Sequence, residues 1–482
     1  MYRLREMDLD DKVCEQVSPT MLSRVYPPEV IERCVGSSEP WSSKARRVRL
    51  CTVLSLVLFV IGLALWSRQN QSQVWRKVVG QLTELHPLQP KSTISDSGLS
   101  GRRQALGWQG LQALMAERCQ LIAEHESMPS AFFGRYRLMA IDGTLFNTPD
   151  TPANRAAFGG SSNQYGPGPF PQVRCVGLAE CGSHAIVGLE ISPYQESEVH
   201  GAHRLLQQVG PNMLVLVDAG ITSGGFLEHL RQRGAHGLGA LEAGVWEHLE
   251  QPRRLADGSV LAKVRPGRPG DAIYALRLPL WVRIISYRIT DERLGEKDRV
   301  YRLVTTLLNP RVAPARELVS LYHERWEVEL VFDEIKTHER AQRKVLRSKT
   351  PEGVLQELYG IFLAHYAVRA LLAQAAVQAD LDPDRLSFTE GLFELTEMLS
   401  FALPLEAAAT EPLLVRLRRK MAQHVLPPRV LRVNRREVKL HYTKYKPKKR
   451  DVPPAEPFGP DEQFLDFVAV LDPLALLPVG AT

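Results

Sequence analysis

Three regimes of hydrophobic patterning succeed one another along the 482 residues. Residues 1–95 read as helical, with a start signal at Pro27-Pro28, a basic patch at Lys44–Arg49 and then the uncharged run Leu50–Ser67 (LCTVLSLVLFVIGLALWS). The polar stretch Gln89–Gly101, containing KSTISDSG, reads as a linker. Short apolar runs of strand length follow: Arg137–Asp142, Gln172–Ala179 and His184–Ile191. Glu198–Val209 has helical spacing, Met213–Asp218 (MLVLVD) is a continuous apolar strand, Gly225–Arg233 is helical and His236–Leu241 is a short strand. From Glu242 to about Asn309 the chain is β-rich and punctuated by Gly and Pro, with alternating runs at Leu280–Ile289 and Tyr301–Leu308. Long helices are then expected at Ala315–Lys336 and Gly353–Ala379, the second opened by Thr350-Pro351-Glu352. The rest is helical to about Ala422, then Pro-rich and basic.

Strand, strand, strand, helix, strand, helix, strand, interruption, helix is the order of a ribonuclease-H-like fold. The expected class is therefore α/β: a ribonuclease-H-like core with a β-rich insertion and a helical N-terminal domain. The boundaries that follow are 1–95 for an N-terminal helical domain, 96–241 and 311–380 for the two parts of the core, 242–310 for the insertion, and 381–482 for a helical and basic C-terminal region.

Composition narrows the function classes. A hydrophobic content of 44% and a charged content of 24% are those of an ordinary globular protein. The net charge of +6 permits a nucleic-acid partner without requiring one. The excess is concentrated at Leu431–Arg450 (LRVNRREVKLHYTKYKPKKR), which holds a single acid, Glu437, and fits a solvated tail or a phosphate-contacting surface. The six cysteines form no C-x-x-C pair, so neither a disulfide framework nor a zinc site is expected, and a reducing cytoplasm is. Leu50–Ser67 is at the lower limit for crossing a bilayer, and it fits a buried helix better.

Candidate chemistry begins with two aspartates. In the expected fold the first and fourth strands are neighbours, which brings Asp142 near Asp218 at their ends. Adjacent carboxylates repel, and a divalent cation relieves that repulsion. Oxygen-only ligands suit Mg²⁺, and two such ions can assist a phosphodiester displacement. Taken alone, both aspartates also fit ordinary cap residues. A third element lies in YHERWEVELVFDEIK, where Tyr322, Arg325, Glu329 and Lys336 stand at offsets 0, 3, 7 and 14. At about 100° per helical residue these share an arc of roughly 60°. One face thus offers a carboxylate among a phenol, a guanidinium and an ammonium, although a charged amphipathic helix has the same pattern, and Glu324, Glu327 and Glu334 show how readily acids occur here.

The spacing Tyr322-x2-Arg325-x3-Glu329-x6-Lys336 resembles the Y-R-E-K signature of DDE transposases of the insertion-sequence-four type. The likeness continues through Val345–Leu372 (VLRSKTPEGVLQELYGIFLAHYAVRALL), and upstream IDGT and VLVDAG resemble the family's two aspartate motifs. It covers roughly residues 20–380 and weakens beyond. The resemblance implies a DNA strand-transfer enzyme of bacterial, nucleoid-associated type. In it Asp142, Asp218 and Glu329 bind two Mg²⁺ ions, for which Mn²⁺ can substitute, while Tyr322, Arg325 and Lys336 position phosphates. It implies a β-strand aromatic that stacks on a flipped base, a role assigned to Tyr301 with Trp281 and Trp246 as substitutes, and a family aromatic at Trp326. It also implies that Leu50–Ser67 is a buried helix rather than a membrane anchor. The partners it implies are double-stranded terminal repeats and target DNA, bound by a homodimer.

Two rival enzymes fail on chemistry. Ala140-Ile141-Asp142-Gly143-Thr144-Leu145 nearly spells a haloacid-dehalogenase motif, but Ala140 stands where that chemistry needs a nucleophilic aspartate. No Gly-x4-Gly-Lys-Ser/Thr loop is present for an ATP-driven motor. A transposase-derived DNA-binding protein without activity is the non-enzymatic alternative, and the presence of all three acids disfavours it.

Overall fold

The computed structural model describes residues 21–36, 52–84, 94–164, 166–241, 249–264, 279–291, 293–294, 299–323, 331–339, 345–401, 407–427, 458–459 and 461–472. The chain forms two compact units, Met1–Gln208 with Glu327–Leu426, and Val209–Trp326 with Pro427–Thr482. Both mix helices with strands.

The first unit opens with helices α1 (Pro28–Val35), α2 (Val53–Leu65), α3 (Gln71–Glu84), α4 (Asp96–Leu106) and α5 (Gln109–Arg118). The apolar run of the sequence is α2. It begins at a reciprocal cap, Ser55 N–H donating to Thr52 Oγ1 (3.1 Å) and Thr52 N–H to Ser55 Oγ (2.9 Å), which sets its start inside the run. All residues from Leu54 to Leu65 are buried. The expected linker is cut short by α4: Ser95 Oγ accepts the Gly98 N–H (3.1 Å), so SDSG, which reads as loop punctuation, caps a helix instead.

Strands β1 (Tyr136–Asn147), β2 (Gln172–Glu180) and β3 (Ala185–Pro193) form an antiparallel meander, followed by α6 (Glu198–Leu205). The first strand is longer than its sequence suggests. Pairing with β2 continues to Asn147 opposite Gln172, so Asp142 lies within the strand, opposite Gly177, and not at its end. The alternation of Thr144, Leu145 and Phe146 carries the strand past a Gly that looks like a turn. Glu180, fully buried at the end of β2, accepts the Ile122 and Ala123 N–H groups (3.1 and 3.0 Å) and the Ser183 hydroxyl (2.5 Å), which pins the turn into β3.

The second unit is built on β4 (Met213–Val217), α7 (Gly224–Gln232), β5 (His236–Ala240), β6 (Leu249–Arg254), β7 (Val260–Val264), β8 (Leu280–Ile289), β9 (Tyr301–Thr305), α8 (Ala315–His323) and β10 (Val468–Leu471). Its mixed sheet runs β4-β5-β9-β8-β7-β6, with β10 also on β8. Among the described strands of this unit only β4 and β5 pair in parallel, across the α7 crossover; the other pairs are antiparallel. Arg283, fully buried on β8, pairs with Asp257 and donates to Ser259 Oγ (2.7 Å). Asp257 Oδ2 also accepts the Ala315 N–H (2.9 Å), so one carboxylate ties the sheet to the start of α8.

The chain returns to the first unit as α9 (Pro351–Gln378), α10 (Phe388–Phe401) and α11 (Ala407–Met421). Thr350 caps α9 and Pro351 occupies its first turn. Among the described residues α9 is the one helix long and apolar enough to cross a membrane, and 89% of its apolar window is buried within the fold. It packs against α2 so closely at Gly360 that a β-carbon there would lie 2.7 Å from Val60 Cγ1 and 2.9 Å from Val60 O. Only glycine fits that approach.

Removing Asp257 leaves a buried guanidinium without its counter-charge. Asp257→Ala is expected to destabilise the second unit by about 3–5 kcal/mol. Denaturant unfolding with an unchanged midpoint would refute this role.

Candidate functional site

In the first unit, the site is built on one face of the β1–β2 pair. Side chains two residues apart on a strand share a face, so Asp142, Thr144 and Phe146 do, with Gly177 and Cys175 as the cross-strand partners of the first two. A helical segment, residues 331–339, covers that face. Phe332 reaches to 3.2 Å from where a Gly177 β-carbon would stand, and Lys336 Nζ lies 5.5 Å from the centre of the Phe146 ring. The glycine opposite Asp142 is thus what lets the segment approach the sheet. Burial pushes the Cys175 thiol far up its scale, a shift that Lys336 opposes, so the ammonium is felt across this face. The opposite face is covered by α6, where Gly201 meets Val176.

Asp142 is half-buried and accepts the Gly143 N–H on Oδ1 (2.9 Å). In the second unit, Asp218 follows directly on β4, as its apolar strand suggests, and accepts the Ile221 N–H on Oδ1 (2.9 Å). Each carboxylate is oriented by a backbone donor on one oxygen, and both offer the hard oxygen ligands that Mg²⁺ prefers. Among the described residues no three His, Cys, Asp or Glu side chains form a metal-holding group. Glu329, Arg325 and Trp326 lie outside the described residues, as do Trp246 and the basic run 431–450.

Two further candidates meet in the second unit. Tyr301 on β9 stacks on Tyr287 of β8, with ring centres 5.4 Å apart and planes at 23°. The Arg299 guanidinium stands 5.0 Å from the Tyr301 ring centre. Tyr322, half-buried on α8, is near the same cluster: burial first, then Tyr322 and Tyr301, push the Tyr287 phenol far up its scale. Tyr287 was not singled out in the sequence, although it sits at an inward position of an alternating strand. Trp281, at the start of β8, is half-buried.

Comparison with known proteins turns this arrangement into a family. A model described as the transposase DDE domain matches residues 133–367, and one described as the insertion element 4 transposase N-terminal matches residues 16–116. The transposase InsG for insertion sequence element IS4 of Escherichia coli (strain K12) is 30% identical over 431 residues, covering 88% of this chain and 93% of the relative. This chain belongs to the insertion-sequence-4 type of DDE transposases. A putative transposase InsZ of the same organism is 28% identical over 157 residues, 32% of this chain and 52% of the relative. A piggyBac transposase synaptic complex with hairpin DNA aligns over 89% of this chain and 88% of that one, at 12% identity and a TM-score of 0.38. The function of the chain is DNA transposition, and the family generally uses divalent metal ions.

The transposase also contains a buried ionic cluster that sequence reasoning missed. Residues Glu334–Glu339 are wound as a π-helix, so the uniform angular step assumed along the signature helix does not extend to Lys336. Glu334 pairs with Arg369, which also donates through Nε (3.0 Å), and lies 3.0 Å from His365 Nε2. His184 Nδ1 is 2.8 Å from Arg369 Nη2 and 3.7 Å from Glu334, and its Nε2 is 2.8 Å from Asp384 Oδ1. His184 holds a left-handed backbone (φ 58°) in the turn before β3, a conformation that costs a side-chain-bearing residue about 1–2 kcal/mol. The legible signal was His365 and Arg369, four residues apart in the apolar middle of the helix.

Acid should loosen this cluster in two stages. Burial leads in holding His365 below its ordinary value of 6.5, so its neutral form belongs to the fold and stability declines as pH falls below that value. For Glu334 burial opposes ionisation, yet Arg369 and the two histidines outweigh it and hold the carboxyl well below 4.5. Its contribution is complete above 4.5 and is lost as pH falls further toward the folded value. Thermal unfolding across pH should therefore show Tm falling first below about 6.5 and again below about 4.5, with His365→Gln removing the upper stage. A wild-type Tm flat down to pH 5 would exclude it.

Proposed function

We propose that this transposase cleaves at the ends of its insertion sequence and joins them to target DNA, using a ribonuclease-H-like core in which Asp142, Asp218 and Glu329 hold two Mg²⁺ ions, with Mn²⁺ as a substitute. The observation that carries the reading is the shared face of Asp142 and Lys336, a carboxylate and an ammonium far apart in sequence. When bound, the ions lower the pKa of the attacking water or hydroxyl and offset charge on the scissile phosphate. The chain's own residues do the rest by positioning. Lys336 meets a phosphate oxygen beside Asp142, its ammonium backed by the Phe146 ring. Tyr322 and Arg325 hold neighbouring phosphates, with Trp326 beside them. Tyr301, backed by Tyr287, offers its ring to a base turned out of the duplex.

Water attacks the phosphodiester at the element's end and releases a 3′-hydroxyl. That hydroxyl attacks a phosphodiester of the opposite strand, closing a hairpin and releasing the 3′-hydroxyl of the flanking DNA; water then opens the hairpin, restoring the 3′-hydroxyl that attacks target DNA and displaces a target 3′-hydroxyl. Two ends must be joined, so the working form is a homodimer on DNA. The N-terminal helices and the basic run 431–450 add contacts to the DNA backbone.

The deciding experiment is end cleavage of DNA carrying the gene's flanking repeats, by wild type and Glu329→Gln, with Mg²⁺ or EDTA. Cutting at the repeat boundary should require both Mg²⁺ and Glu329, with the variant slower by about 10²–10³-fold or more. Lys336→Ala should cut about 10- to 100-fold more slowly, the loss of one charge-assisted hydrogen bond of about 1.5–3 kcal/mol. Binding without cutting by the wild type would favour a repurposed DNA-binding protein.

A further inference from the structure

The buried cluster around Glu334 lies in the same segment that covers the Asp142 face. It joins three separate pieces of chain: the π-wound segment, α9, and the turn before β3. Asp384, beyond the end of α9, closes it on the far side of His184. Glu334 is mostly shielded from solvent, and Arg369, His365 and His184 are buried. Carboxylate, guanidinium and imidazole have fixed hydrogen-bonding directions, so together they set an orientation, which apolar packing alone does less sharply.

Two positions later the same segment carries Lys336. A π-winding is irregular within a helix and is commonly found at functional sites. Here it places one side chain of the segment in the buried cluster and another over the Asp142 face. A change in the rotation of the segment would move Lys336 along that face.

We propose that Glu334 is a positioning residue: clamped by Arg369, His365 and His184, its carboxylate fixes the rotational setting of the π-wound segment and thereby the place of Lys336 over Asp142. Its groups are shielded from solvent, so the clamp acts through the segment it holds. The proposal rests on the reading of Lys336 as a phosphate contact. His184 contributes because the left-handed turn directs its imidazole to both Arg369 and Asp384.

The test uses full-length protein in three forms: wild type, Glu334→Gln, and the apolar double variant Glu334→Leu with Arg369→Met. Hydrogen exchange of residues 331–339, measured without DNA or metal, reports the clamp directly. Single-turnover end cleavage at saturating DNA, DNA affinity and Tm are read alongside. In Glu334→Gln exchange at 331–339 should rise about tenfold. Cleavage should fall about 10- to 100-fold through misplacement of Lys336, with DNA affinity within about twofold of wild type. The double variant should recover part of the Tm lost in Glu334→Gln, since the buried pair is replaced by apolar groups while His365 and His184 lose a partner each, and cleavage stays low. Wild-type exchange and cleavage in Glu334→Gln would overturn the proposal. So would a double variant that regains cleavage together with Tm, which would make the cluster a packing device. If Glu334→Gln does not fold, the double variant decides on the same two readouts. If Lys336→Ala cuts as fast as wild type, the reading of Lys336 fails, and exchange at 331–339 alone decides the clamp.

Discussion

Burial of the Pro351–Gln378 helix is the constraint on which the first unit depends. An apolar helix of this length has no stable place in water, so other elements must cover it on all sides. The Val53–Leu65 helix supplies one cover, at a crossing tight enough to require Gly360. The Phe146 ring meets Phe362 edge-on at 6.3 Å, which seats the β-meander against the same helix. Its few polar side chains are committed as well. Glu357 accepts the Arg347 and Ser348 N–H groups (2.9 and 3.0 Å), and Gln356 donates to the Arg103 and Gly107 carbonyls (2.8 and 2.7 Å). His365 and Arg369 face Glu334. The helix that carries no catalytic assignment therefore holds the elements that do.

Transposition asks little covalent chemistry of the protein and much positioning. That demand fits a site whose parts come from rigid strands and a braced helical segment. Asp142 lies within a paired strand and not on a loose loop, and Gly177 opposite it makes room for the segment above. The aromatic pair Tyr287–Tyr301 is similarly set on adjacent strands, at a cross-strand register of directly facing residues. In each place the backbone fixes the separation of the side chains to which the proposed chemistry is assigned.

Much of the fold was legible because strand and helix periods differ. Leu280–Ile289 was read with the bounds the structure gives it, and Met213–Asp218 and Gly353–Ala379 were read within two residues. The errors have physical causes. Asp142 looked like a strand end because Gly143 follows it, and a strand tolerates glycine where a neighbouring element comes close. KSTISDSG looked like a linker because residues that cap helices are the residues that make turns. Of the candidate site, the residue types were readable, but their meeting was not. Spacing together with the family resemblance singled out Lys336 as a candidate, yet no periodicity announces a π-winding. Glu334 passed as one more acid on a charged helix, since its partners come from a turn and a helix remote in sequence.

The close crossing at Gly360 also bears on how the chain is made. Val60 and its partner glycine are separated by about 300 residues, and at roughly 5–20 residues per second the first is synthesised some 15–60 s before the second. Throughout that interval an apolar helix exists without its main partner. Its interim neighbours are the helices Pro28–Val35, Gln71–Glu84 and Asp96–Leu106, all synthesised close to it and all packed on it in the finished fold. The N-terminal helices are thus the partners this apolar helix can meet first, and a chain that lacked them would leave it uncovered until Gly360 was made.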